Sequence, residues 1–160
     1  MTRGVTEMDL VLWRHAEAQD WVEGCDDMAR TLTSRGDKQA LRMAKWLDRQ
    51  IPDTTRILVS PARRSEQTAM ALGRKYKIKA ELAPGCSVEQ LLELAQWPNA
   101  KGTVLVVGHQ PTLGPTISQL IGLSVSECSV KKGAVWWLRN RERAEHAQTV
   151  VVTVQSPEVL

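Results

Sequence analysis

The sequence predicts an α/β fold: a three-layer α/β/α sandwich built on a mostly parallel sheet, with an antiparallel hairpin toward the C-terminus. Three observations predict it. Short unbroken apolar runs at 10–13, 57–59 and 104–107 have the length of strands buried on both faces. Segments with helical periodicity separate them, which is the pattern of strands joined by crossover helices. Two further strand-like runs, at 134–138 and 150–154, follow one another with only a polar stretch between, and so read as a hairpin.

The first run is Leu10, Val11, Leu12 and Trp13. After it, Ala40, Met43, Ala44 and Leu47 recur at helical spacing, with Thr33 or Ser34 as the cap and Pro52 at the exit. The second run is Ile57, Leu58 and Val59, followed by Ala69, Leu72 and Tyr76 at similar spacing. Ser87 and Gln90 form a capping box ahead of Leu91, Leu92, Leu94 and Ala95, and Trp97, Pro98 and Asn99 close that helix. The third run, Val104 to Val107 in four consecutive residues, precedes a helix over 116–120 that stops at Gly122. The polar stretch at 139–143, with Arg139, Arg141 and Arg143, is expected at the hairpin tip.

The chain has 160 residues, 42% hydrophobic and 24% charged, which suits one globular domain over 1–160 with a single substantial core. A net charge of +3 comes from Lys and Arg scattered along the chain, so no nucleic-acid partner is expected. Cys25, Cys86 and Cys128 are odd in number and widely spaced, which fits neither a disulfide framework nor a zinc motif. No apolar run approaches the ~20 residues of a membrane span, so a cytoplasmic protein without membrane association is expected.

Chemistry collects where the strands end. Arg14 and His15 follow the first run, Ser60, Pro61, Ala62, Arg63 and Arg64 the second, and Gly108, His109, Gln110 and Pro111 the third. Open α/β sheets bind ligands at the carboxyl ends of their strands, so these segments share one crevice. Taken singly, each residue has a bland account, since a histidine after a strand or a surface arginine is common. Jointly they make a phosphate site. Guanidinium groups offer paired donors and a permanent charge to phosphate oxygens, the task that Mg²⁺ performs in other phosphoryl transfers. His15 suits a nucleophile if its second ring nitrogen is held by a carbonyl, and His109 suits transition-state stabilisation.

These segments identify a resemblance. Leu12, Trp13, Arg14, His15, Ala16 and Glu17 resemble the Arg-His-Gly signature of the histidine phosphatase, or phosphoglycerate mutase-like, superfamily. Leu32-Thr33-Ser34-Arg35-Gly36, the stretch Val59-Ser60-Pro61-Ala62-Arg63-Arg64-Ser65-Glu66-Gln67-Thr68 and Val107-Gly108-His109-Gln110-Pro111 are most similar to its short SixA-type phosphohistidine phosphatases. The resemblance covers nearly the whole chain. It implies a phosphoglycerate mutase-like fold, His15 as the phosphorylated residue, Arg14 and Arg64 as phosphate ligands, and His109 completing the pocket. Gln110 is taken as a further phosphate contact.

Two departures bear on the substrate. Ala16 replaces the signature glycine, adding only a methyl group. Around residues 81–86, where mutases and phosphoester phosphatases of the superfamily place an acidic proton donor, only Glu81 and, further on, Glu89 are at hand, and each also reads as a solvated or helix N-terminal charge. An alkoxide leaving group needs such an acid, whereas imidazole leaving from phosphorus can depart without one. The expected substrate is therefore a phosphohistidine-bearing protein, such as a histidine-containing phosphotransfer domain in signal transduction, hydrolysed to phosphate with no cofactor and no metal. The chain also lacks the insertions that cover mutase sites, and an open site admits a protein surface.

Other classes fare worse. The positions where a cysteine phosphatase needs its arginine hold Thr31, Leu92 and Ala134. No Gly-x-x-x-x-Gly-Lys loop is present for a kinase. His15, His109 and His146 form no helical ligand pair, and Asp26 and Asp27 read as loop solvation. Trp46, Trp136 and Trp137 read as packing rather than base stacking. Two rivals stand: a small-molecule phosphatase or mutase using the same His15, and a non-catalytic phosphohistidine-binding module.

Overall fold

A computed structural model describes residues 6–125, 128–143 and 146–160. Its strands are β1 (Thr6–Arg14), β2 (Arg56–Val59), β3 (Lys77–Ile78), β4 (Gly102–Gly108), β5 (Val135–Arg143) and β6 (His146–Gln155). Its helices are α1 (Ser34–Gln50), α2 (Arg63–Met70), α3 (Val88–Ala95) and α4 (Leu113–Ile121), with single 3-10 turns at Asp27–Ala29, Ala80–Leu82 and Pro157–Val159. The six-stranded sheet has the order β3-β2-β4-β1-β5-β6. The strands β3, β2, β4 and β1 run parallel, and β5 and β6 add on antiparallel.

Successive side chains of a strand point to opposite faces, which is why the apolar runs are unbroken. On one face Val11, Trp13, Ile57, Val59, Leu105 and Val107 pack under Met43, Ala44 and Leu47 of α1 and Ala69 of α2. On the other, Leu10, Leu12, Leu58, Val104 and Val106 meet Leu91 and Ala95 of α3 and Leu113 and Ile117 of α4. The three expected layers follow directly from this alternation. Among the described residues no helix is long and apolar enough to cross a membrane.

Local signals set most helix ends. Thr33, rather than Ser34, caps α1, its hydroxyl accepting the Gly36 amide at 2.9 Å. The Ser87/Gln90 capping box opens α3 with both of its hydrogen bonds made. Gly122, at φ 71°, ends α4 in the left-handed region where glycine is favoured. The helix α4 begins earlier than periodicity suggested, at Leu113.

Two expectations need correction, and one strand gave no signal. The helix α2 stops at Met70, so Leu72 and Tyr76 lie beyond it. Their spacing misled because a turn residue can also face the core: Leu72 is buried, and the Tyr76 hydroxyl reaches back to Glu66 at 2.8 Å. The short strand β3 gave no signal, since both of its residues are exposed. The polar stretch at 139–143 is strand rather than hairpin tip, and residues 144–145 between β5 and β6 lie outside the described residues. Charge is tolerated there because Arg139 stands directly opposite Asp9 on β1 and grips it with two bonds, Nε to Oδ1 at 2.7 Å and Nη2 to Oδ2 at 2.9 Å.

Candidate active site

Hydrogen bonding of the sheet carries on past the strand ends and gathers the three chemical segments. Arg14 is in register with Gly108, the His15 amide then donates to the Gly108 carbonyl at 3.1 Å, and the Ser60 amide donates to Val107 at 3.1 Å. The connection after β1 runs through α1 toward β2, whereas the chain after β4 runs through α4 to β5 on the far side of β1. The crevice thus lies at the point where the strand order reverses, the ligand site of open α/β sheets. The segment 130–134 closes it from the side of β5. The Arg14 amide donates to Ala134, the Gly133 amide to His15, the Trp13 indole to Gly133 at 3.2 Å, and Arg14 Nη1 to Val130 at 2.6 Å.

His15 and His109 face each other with ring centroids 5.2 Å apart. The Ala16 carbonyl lies 2.7 Å from His15 Nδ1 and accepts its proton, which leaves the lone pair on Nε2 free. Burial is the main reason the His15 pKa is held down to about 4; the Ala16 carbonyl works against this, and the charges of Arg64, Arg14 and Arg30 add to it. His109 is pushed down to about 3, again chiefly by burial, with His15 and Arg64 contributing. Both rings are therefore neutral at neutral pH. His109 Nε2 lies 2.6 Å from the Ser60 hydroxyl and 3.3 Å from that of Ser65.

The arginines are fastened by their tips. Arg64, only 3% exposed, donates from Nη1 to the Asp27 carbonyl at 2.8 Å and from Nη2 to the Asp27 carboxylate at 3.2 Å. Arg14 Nε, Arg64 Nε and His109 Nδ1 are all buried without a hydrogen-bond partner among the described residues. Buried orphan donors cost stability, and each calls for an explanation. The two guanidinium Nε–H groups are donors as they stand, whereas His109 Nδ1 is a donor or an acceptor according to the tautomer.

Other proposed residues are placed differently. The Gln110 amide is engaged within the fold, Nε2 donating one hydrogen to the Cys128 carbonyl at 3.0 Å and Oε1 accepting the Gly114 amide at 2.6 Å, so it braces the start of α4. Glu81 is exposed in the turn after β3 and lines a hollow with Arg56, Lys79, Gln90 and Glu93, whose wall contains neither His15 nor His109. Glu89 is exposed in the first turn of α3. A hollow of about 560 Å³ lies against β3 with Arg56, Arg74, Tyr76 and Lys77 in its wall, and its lining contains neither histidine. Among the described residues no group of three or more His, Cys, Asp or Glu could hold a metal ion.

The residue that sequence reading undervalued is Asp27. It is not mere loop solvation: Oδ1 holds Arg30 at 2.9 Å while Oδ2 and its carbonyl hold Arg64. Burial alone would raise its pKa, but the hydrogen bond from Arg30 and the charge and hydrogen bond of Arg64 outweigh that and keep it below the usual range. Ser60 and Ser65 were within a motif, but nothing local announced their contact with His109.

A family model described as the histidine phosphatase superfamily (branch 1) matches residues 10–87. The phosphohistidine phosphatase SixA of Escherichia coli (strain K12) is 31% identical over 121 residues, covering 71% of this chain and 74% of that protein. Among solved structures, a protein assigned as phosphohistidine phosphatase SixA from Nakamurella multipartitia is similar with a TM-score of 0.76 and 28% identity, covering 98% of this chain and 99% of the other. The protein histidine phosphatase SixA complexed with tungstate is similar with a TM-score of 0.72 and 25% identity, over 94% of this chain and 98% of that one.

Proposed function

The chain belongs to the histidine phosphatase superfamily, and from that premise we propose that it hydrolyses phosphohistidine on a partner protein through a phosphoryl group carried by His15. One observation carries the proposal: three buried nitrogens without partners, on Arg14, Arg64 and His109, accompany a neutral imidazole whose Nδ1 is pinned. A tetrahedral oxyanion satisfies all three, and the related SixA that binds tungstate accepts an anion of that shape.

The transfer exchanges one nitrogen–phosphorus bond for another. The lone pair on His15 Nε2 forms the new bond as the substrate imidazole leaves with its bonding pair. With a proton on the far nitrogen of each ring, no proton has to reach the leaving group. Water then attacks phosphorus, the bond to His15 breaks with its pair returning to Nε2, and phosphate departs with both protons of the water. Arg14 and Arg64 keep their charge throughout, so the negative charge on the transferring group is balanced at each stage.

The choice of phosphohistidine over a phosphate ester rests on carboxylates. Asp27 contacts a pocket arginine but is held ionised, Glu81 is exposed beside a hollow that includes neither histidine, and Glu89 lies on the surface of α3. None stands ready to protonate an alkoxide. The partner remains a phosphohistidine protein of a relay or a phosphocarrier type.

The test compares dephosphorylation rates on a phosphohistidine protein and on a panel of phosphate monoesters in EDTA, with His15→Ala as control. Phosphohistidine is expected to turn over faster, without metal, and the variant to lose at least ~10³-fold in rate while keeping its melting behaviour. Preference for monoesters would make this a small-molecule phosphatase. Binding without turnover, and no phosphoenzyme with any donor, would make it a recognition module.

A further inference from the structure

We propose that Ser60 is a positioning residue that donates its hydroxyl proton to His109 Nε2 and thereby fixes His109 in the Nδ1-protonated form. The inference rests on the phosphatase reading only for its effect on rate, since the tautomer itself is a property of the resting protein. Ser60 is fully buried and its oxygen lies 2.6 Å from His109 Nε2. The same oxygen already accepts the Ala62 amide at 3.2 Å.

Only one assignment of protons satisfies these groups. If Nε2 carried the ring proton and donated to Ser60, the Ser60 hydroxyl hydrogen would be buried with no acceptor among its contacts. The buried Nδ1 would then carry a lone pair with no donor to accept from, and a phosphate oxygen bound beside the ring would meet it as a second negative centre. With Ser60 donating instead, its hydrogen is used and its oxygen still accepts from Ala62. The buried, unpartnered Nδ1 then presents N–H to the anion. A doubly protonated ring would satisfy the crevice as well, but burial opposes that charge. Ser65, at 3.3 Å from the same nitrogen, is a weaker second donor to the same lone pair.

The two histidines are thereby set by opposite devices. A carbonyl acceptor makes the Nε2 of His15 a nucleophile, whereas a hydroxyl donor makes the Nδ1 of His109 a donor. No ionised group is needed for either assignment, so both hold across the neutral range.

Long-range proton–nitrogen NMR of the histidine-labelled, wild-type protein tests this directly, with or without turnover. The expected spectrum has His109 protonated on Nδ1 and bare on Nε2; protonation on Nε2 overturns the proposal. Ser60→Ala is expected to give mixed tautomers and to lower kcat on the phosphohistidine protein about tenfold with little change in KM, and Ser60→Thr to restore both. A Ser60→Ala protein that keeps the wild-type tautomer and kcat also overturns it. A wild-type protein showing the expected tautomer but no phosphatase activity would sink the functional reading and leave the assignment of Ser60 standing.

Discussion

At the scale of single residues, two neutral histidines 5.2 Å apart carry a linkage to pH. His15 binds its proton near 6.5 in an unfolded chain and near 4 in the folded one. Between those values the unfolded chain holds more protons, so this contribution to stability is complete above about pH 6.5 and is lost as pH falls toward about 4. His15→Gln is expected to flatten the fall in urea midpoint between about pH 7.5 and about pH 5. Equal slopes in the variant and the wild type would mean that burial does not hold His15 neutral. Arg14, His15, Arg64 and His109 were legible in sequence because each lies within a few residues of the end of an apolar run, and the fold turns that nearness into convergence. Asp27 and Ser60 were opaque because the groups they serve lie 37 and 49 residues away. The bonds of Gln110 to Cys128 and Gly114 were opaque too, since adjacency to His109 says nothing of where an amide's two ends are spent.

At the scale of elements, the start of α1 is pressed onto the segment after His15. Gly36 has no room for a side chain, since a Cβ there would collide with the Glu17 carbonyl. Gly36→Ala is expected to destabilise by about 1–3 kcal/mol and to lower activity as well, because the displaced segment includes the carbonyl that pins His15. Gly122→Ala at the end of α4 strains a left-handed residue with open space around it, so it is expected to cost about 1 kcal/mol and leave kcat unchanged. Urea melts and kinetics on both variants separate the two, and an unaltered kcat in Gly36→Ala would show that α1 does not position the site. Helix starts were readable because caps are local chemistry, as with Thr33 and Ser87. The ends of α2 and β5 were not, since Leu72 is held by core contacts and the charges of β5 are held across strands, as Arg139 is by Asp9.

At the scale of the whole molecule, the order of the strands sets where ligands go, and the strand-end crevice gathers residues with buried nitrogens that lack a protein partner. An anion that satisfies them is expected to stabilise the folded chain. Inorganic phosphate at a hundred times its dissociation constant corresponds to about 2.7 kcal/mol, read as a rise in Tm that Arg64→Ala abolishes. No rise in the wild type would mean that the three donors do not act on one ligand. The layering was legible because unbroken apolar runs can be buried only between two sheets of helices, whereas the adjacency of β1 and β4 depends on pairing that no local pattern encodes.

The clasp formed by residues 130–134 bears on the order in which the molecule is made. His15 comes early in the chain, and the groups that fix it together with Trp13 and Arg14 come late. A ribosome that has released everything through α4 has therefore built all four pocket residues and not yet the pocket. The contacts around Arg14 and His15 are completed by the chain leading into β5, so a nascent or clipped chain ending short of that strand is expected to keep the signature while lacking this geometry.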